Sequence, residues 1–159
     1  MDRQGVHVEI LALPDSAAPD PDRWVAAVEA AIGVPDETLS VVAHSLGAIT
    51  VLHALDRLPG DWSIRGLVAV SGFAEPLPAL PELDPFTASP PDARRLARRI
   101  LHRTAIVSDD DTVVPPSATT ALARLLDARL VTVPGGGHFL ADDGFTALEP
   151  ALRAVQRTS

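Results

Sequence analysis

Ser45, Asp111 and His138 are side chains of the types, and in the chain order, that nucleophilic catalysis can use. Ser45 stands in Val41-Val42-Ala43-His44-Ser45-Leu46-Gly47, where a buried apolar run ends and a helix-forming run begins. Small residues flanking a serine at such a corner let a strained turn pack while Oγ projects outward. Ala43 holds the first small position, where glycine is usual, and the constraint there is on bulk. A serine at this corner could also be a plain helix N-cap. Asp111 lies in Ser108-Asp109-Asp110-Asp111-Thr112-Val113-Val114-Pro115, after another apolar run, and His138 follows the triplet Gly135-Gly136-Gly137. A histidine beside a serine can take its proton. A carboxylate on the other ring nitrogen fixes the tautomer and stabilises the imidazolium.

The neighbours leave alternatives open. Asp109 or Asp110 could serve as the acid in place of Asp111. The three aspartates lack the spaced oxygen ligands and glycine of a calcium loop. The glycine triplet reads as a tight turn, since phosphate cradles follow the first strand and open a helix. His44 adjoins the serine from the strand side and reads as packing; His7, His53 and His102 carry no pattern.

Elements that bring these residues together must alternate strand and helix. Five runs rich in Val, Ile and Leu read as strands: residues 6–13, 39–44, 66–71, 104–108 and 129–134. Their near-continuous apolar character suits strands covered on both faces. The first helix opens on Asp20-Pro21-Asp22 and closes at Gly33, with Trp24, Val25, Val28 and Ile32 as its apolar stripe. Further helices are expected over residues 46–58, 91–102, 117–127 and 145–157. The alternation predicts an α/β fold, a three-layer α/β/α sandwich around a parallel sheet of about five strands, as a single domain over residues 1–159. Ser45, Asp111 and His138 each follow a different strand, so all three arrive at the carboxyl edge where ligands bind in open sheets. Residues 74–91 hold six prolines and read as an ordered excursion, either a connector or a wall of the binding site.

Composition narrows the partners. A formal charge of −8 argues against nucleic acid and anionic membrane, both of which reward positive patches. Without cysteine there is no disulfide and no thiolate metal site. No apolar run approaches membrane-spanning length, and the first five residues lack a signal-peptide core, so a cytoplasmic protein is the expectation.

The stretches 43–47 (Ala-His-Ser-Leu-Gly), 70–74 (Val-Ser-Gly-Phe-Ala) and 136–140 (Gly-Gly-His-Phe-Leu), with Gly144-Phe145 beyond, resemble the small YdeN-type serine hydrolases, relatives of the retinoblastoma-binding serine hydrolase. The likeness runs from about Gly5 to the last helix, and Trp24 fits the first helix of that family. It implies a compact α/β hydrolase acting on esters, with Ser45, Asp111 and His138 as the matching residues. The D-x-x-V-P ending after Asp111 also fits the acid loop of α/β hydrolases. One departure stands out. Family members begin with an extra strand, ending in a His-Gly loop, and a helix, a unit of about 25–30 residues. Its loop supplies the second oxyanion N–H. The shortened start reads as a misassigned or truncated start site or as a natural short form.

The expected activity is hydrolysis of small carboxylic esters through an acyl-enzyme on Ser45, with the Leu46 N–H as one oxyanion donor and no cofactor or metal. The missing oxyanion loop would impair it. The alternative is a catalytically weak interaction module on the same fold. Phe73, Phe86 and Phe139 are candidate pocket walls, with core packing the equal alternative for each. The partner is a small ester substrate, with a homodimer through an exposed sheet edge beside residues 41–43 as a further expectation.

Overall fold

The computed structural model describes residues 7–157. Its elements are α1 (Pro21–Ile32), β1 (Ser40–His44), α2 (Leu46–Arg57), β2 (Ile64–Val70), α3 (Asp84–Thr87), α4 (Ala93–Arg99), β3 (Ile100–Ser108), α5 (Pro116–Leu125), β4 (Arg129–Val133) and α6 (Glu149–Gln156). The four strands form one parallel sheet in the order β1-β2-β3-β4.

Burial explains why helices cover both faces. Side chains alternate across a strand, and β2 is buried along nearly its whole length. Leu67 and Ala69 pack into the large core with Ile49, Leu52 and Leu55 of α2, Leu96 of α4 and Leu122 of α5. Val68 and Val70 face the other way, into a smaller cluster with Ile106, Phe139 and Ala151 of α6. Burying one large aliphatic side chain is worth about 1.5–3 kcal/mol, and eight residues of α2 are buried. That helix is therefore the centre of the larger layer.

The expected first strand is not formed. Val6 lies outside the described residues, and residues 7–13 pair with no strand among the described residues; Val8 is 70% and Ile10 92% exposed. The end of this run is tied to the helical layer instead, because the Pro14 carbonyl accepts a 2.7 Å bond from Trp24 Nε1 on α1. The sheet thus has four strands among the described residues, and β1 is an edge. Val42 on that edge is 53% exposed, since α6 covers β2 and β3.

Other boundaries shift for local reasons. The third long helix ends at Arg99, because Ile100, fully buried and in register with Ile64, starts β3 there. Arg103 donates 2.8 Å to the Ala97 carbonyl and 2.7 Å to that of Leu126, joining the ends of α4 and α5. The last helix starts at Glu149, because Phe145 is drawn edge-on against Phe139 at 5.2 Å. The proline-rich excursion is a packed connector: Leu77 and Phe86 are buried, Phe86 meets Trp24 edge-on at 5.7 Å, and its carbonyl accepts from His53 Nε2 at 2.7 Å.

Two glycines near the β1–α2 corner differ sharply. A Cβ on Gly72, just past β2, would sit 2.7 Å from Ala48 Cβ and 2.8 Å from Leu122 Cδ2, whereas one on Gly47 would meet only Ala43 Cβ at 3.9 Å. Overpacking of that kind costs about 1–3 kcal/mol. Gly72→Ala should lower the unfolding free energy by that order and so lower the denaturant midpoint, and Gly47→Ala should have a midpoint at or above the parent's, as a helical alanine does. Equal midpoints for the two variants would contradict the close contact of the β2 end with α2 and α5.

Candidate active site

The corner between β1 and α2 places Ser45. Its backbone sits at φ 53°, ψ −124°, a conformation that costs a residue with a side chain about 1–3 kcal/mol. The surroundings enforce it. The Ser45 N–H donates to the Val70 carbonyl at 2.9 Å, ending the ladder with β2, and its carbonyl accepts from the Ala48 N–H at 3.0 Å, starting the helix. The side chain makes no capping bond to α2, which removes the N-cap reading. Oγ instead lies 3.1 Å from His138 Nε2.

His138 rides on a turn that other loops hold by its amides. Gly135 and Gly137 have φ of 66° and 53°, and Phe139 56°. The Gly135 N–H donates to Asp109 Oδ1 at 2.8 Å, that of Gly136 to Ser108 Oγ at 2.9 Å, and that of Gly137 to Asp110 Oδ1 at 2.8 Å. Asp143 Oδ2 then accepts from the N–H groups of His138 (2.9 Å) and Leu140 (3.0 Å). A Cβ on Gly137 would lie 2.7 Å from that carboxylate, so glycine is required there by space as well as by φ.

Asp111 completes the line. Its Oδ2 accepts from His138 Nδ1 at 2.9 Å and from Ser71 Oγ at 2.7 Å; its Oδ1 accepts from the Val113 and Val114 N–H groups, both at 2.9 Å. Burial by itself would raise the pKa of this carboxyl, but the bonds from His138, Ser71, Val114 and Val113 together outweigh it and hold the value below the ordinary carboxylate range. Asp109 and Asp110 reach the glycine turn and not the imidazole; the bonds from Ser108 Oγ and the Gly137 N–H likewise hold the Asp110 pKa low.

The structure therefore brings Ser45, His138 and Asp111 into one hydrogen-bonded row. Leu46 opens α2, so its N–H is among those without an intrahelical acceptor. Phe73 and Phe86, each 1% exposed, are part of the large core, and Phe139 packs into the smaller cluster; these rings fill the interior. Residues 14–17 form a turn that is anchored on α1 through the Pro14 carbonyl. Among the described residues no cluster of three or more His, Asp or Glu side chains is disposed to hold a metal ion. Sequence reasoning passed over Ser71 and Asp143. Ser71 follows the strand beside β1 and has φ 45°, so the end of β2 was the signal for it. Asp143 carried none, being one of two adjacent aspartates.

A parallel sheet flanked by helices, with a strained serine between strand and helix and a histidine after the last strand, defines an α/β hydrolase. The chain belongs to the serine hydrolase family, whose model matches residues 3–157. It is 39% identical to the YdeN protein of Bacillus subtilis (strain 168) over 144 residues, 91% of this chain and 76% of that protein. The crystal structure of the B. subtilis ydeN gene product superposes with a TM-score of 0.93 at 36% identity, over 97% of this chain and 83% of that one. A YdeN-like protein from Pectobacterium atrosepticum follows at a TM-score of 0.65 and 27% identity, over 88% of this chain and 70% of that one. Esterase PE8 is similar at a TM-score of 0.53 and 25% identity, over 91% of this chain and 61% of that chain.

The depressed Asp111 pKa carries a sign. A carboxyl bound more weakly by protons when folded stabilises the fold above its unfolded pKa of about 3.9, and that contribution is lost as pH falls through the lower folded value. Urea unfolding of the parent should therefore weaken more steeply below about pH 4 than that of Asp111→Asn, which cannot ionise. Parallel curves for the two proteins would mean that the carboxylate is not held by these bonds.

Proposed function

We propose that this protein hydrolyses small carboxylic esters through an acyl-enzyme, with Ser45 as nucleophile, His138 as general base and then acid, and Asp111 as the carboxylate that orients it. The observation that carries this reading is the row Asp111–His138–Ser45, at 2.9 Å and 3.1 Å. Asp111 accepting at Nδ1 leaves Nε2 as the basic nitrogen, aimed at Oγ. As Ser45 Oγ bonds to the ester carbonyl carbon, its proton passes to Nε2, and the carbonyl oxygen becomes an oxyanion. The Leu46 N–H at the start of α2 is the donor suited to that charge. Collapse breaks the C–O bond to the alcohol, which leaves with the proton from Nε2. Water then repeats the sequence on the acyl-serine, releasing the acid and restoring Oγ–H. The similarity to esterase PE8 supports an ester as the substrate class.

Fluorophosphonates label only an activated serine, so the parent should be labelled and Ser45→Ala should not. Loss of p-nitrophenyl acetate hydrolysis should accompany that change; persistent labelling of Ser45→Ala would place the nucleophile elsewhere. Among the three aspartates, Asp111→Asn should lower kcat at least about 10²-fold, since an amide facing Nδ1 favours the wrong tautomer. Asp109→Asn and Asp110→Asn each weaken one bond to the glycine turn and should cost far less. Steady-state kinetics of the three variants decides the assignment, and a larger loss for Asp109→Asn would reverse it.

A further inference from the structure

His138 has four polar groups, and each has a partner. Its N–H donates to Asp143 and its Nδ1 faces Asp111. The other two are met by consecutive residues at the end of β1: Nε2 by Ser45 Oγ at 3.1 Å, and the carbonyl by His44 Nε2 at 2.8 Å. A carbonyl only accepts, so His44 carries its proton on Nε2 here. The His44 ring also lies 4.6 Å from the His138 ring, with the planes at 50°. His44 is thus more than a residue packed beside the serine.

We infer that His44 is a positioning residue for His138, holding the peptide between residues 138 and 139 so that the imidazole stays within reach of Ser45. The inference rests on the hydrolase reading above and adds a residue to it. That peptide is the weak point of the turn. Gly137 before it and Phe139 after it both have left-handed φ, at 53° and 56°, so small rotations there would swing the imidazole. The Ser45–His138 bond cannot be the anchor, because its proton moves in every cycle. The bond from His44 goes to the backbone and is untouched by the chemistry. It also ties the nucleophile's strand directly to the base, so any drift of the turn is referred to the residue beside Ser45. Partial burial lowers the His44 pKa, and the charge of His138 acts in the same direction, against the bond to the His138 carbonyl and the Asp111 charge. The ring is therefore neutral at neutral pH and adds no cation against the imidazolium.

Three variants separate the hydrogen bond from the ring. His44→Phe keeps an aromatic ring without a donor, His44→Gln keeps an N–H donor without the ring, and His44→Ala keeps neither. A misplacement near 1 Å can cost about 10²-fold in rate. His44→Phe and His44→Ala should therefore lower kcat for p-nitrophenyl acetate by about 10- to 10²-fold with KM little changed, and His44→Gln should recover most of it. Independent of turnover, the downfield proton shared by His138 Nδ1 and Asp111 should be sharp in the parent and in His44→Gln, and broadened in His44→Phe. Parent kcat and a sharp proton in His44→Phe would overturn the inference, as would His44→Gln behaving like His44→Phe. A parent that fluorophosphonate does not label would instead defeat the hydrolase reading, while the proton resonance still reports on His44.

Discussion

The left-handed backbone at Ser45 is the constraint on which the site depends. A residue with a side chain stays at φ 53° only if stronger interactions on both sides demand it. On one side is the ladder of β1 with β2, which runs through the Ser45 N–H. On the other is α2, whose buried residues are the middle of the large core. The chain must reverse between them within one residue, and the small side chains of Ala43 and Ala48 and the bare Gly72 leave room for it. Core burial thus holds the strained conformation that turns Oγ away from the helix and toward His138.

The base is placed by electrostatics more than by packing. Carboxylates of Asp109, Asp110 and Asp143 accept backbone N–H groups of the histidine turn, and Asp111 accepts from the imidazole itself. Bonds to charged acceptors are stronger than neutral ones, which suits a turn whose glycines contribute no side-chain packing. The same arrangement explains three successive aspartates without invoking a metal: each oxygen that faces the turn has an N–H to accept. A net charge of −8 is in part the consequence of building a turn this way.

Much of this was legible in the sequence because it is local. The four strands that form were visible as apolar runs, and the first helix as an acidic N-cap with proline behind it, where Asp20 accepts from the Arg23 N–H at 2.9 Å. Ser45, Asp111 and His138 were visible because each follows such a run. The rest was of another kind. Residues 7–13 have the composition of a strand but pair with none of the four described strands, and composition does not report pairing. Residue type alone left Phe73 and Phe86 open between pocket wall and core; both are buried in the large core, Phe86 edge-on against Trp24.

The amino-acid order by itself determined the alternation of elements, the fold class and the strand ends at which reactive side chains appear. Periodicity, caps and chain order are properties of neighbouring residues, so one dimension suffices to read them. Tertiary structure alone decided which aspartate faces the imidazole, that Ser71 shares its carboxylate, and that His44 holds the His138 carbonyl. Those contacts join residues 27, 40 and 94 positions apart. Their existence depends on turns closing to within hydrogen-bond distance, about 3 Å, which the packing of β1, β2 and β3 side by side brings about.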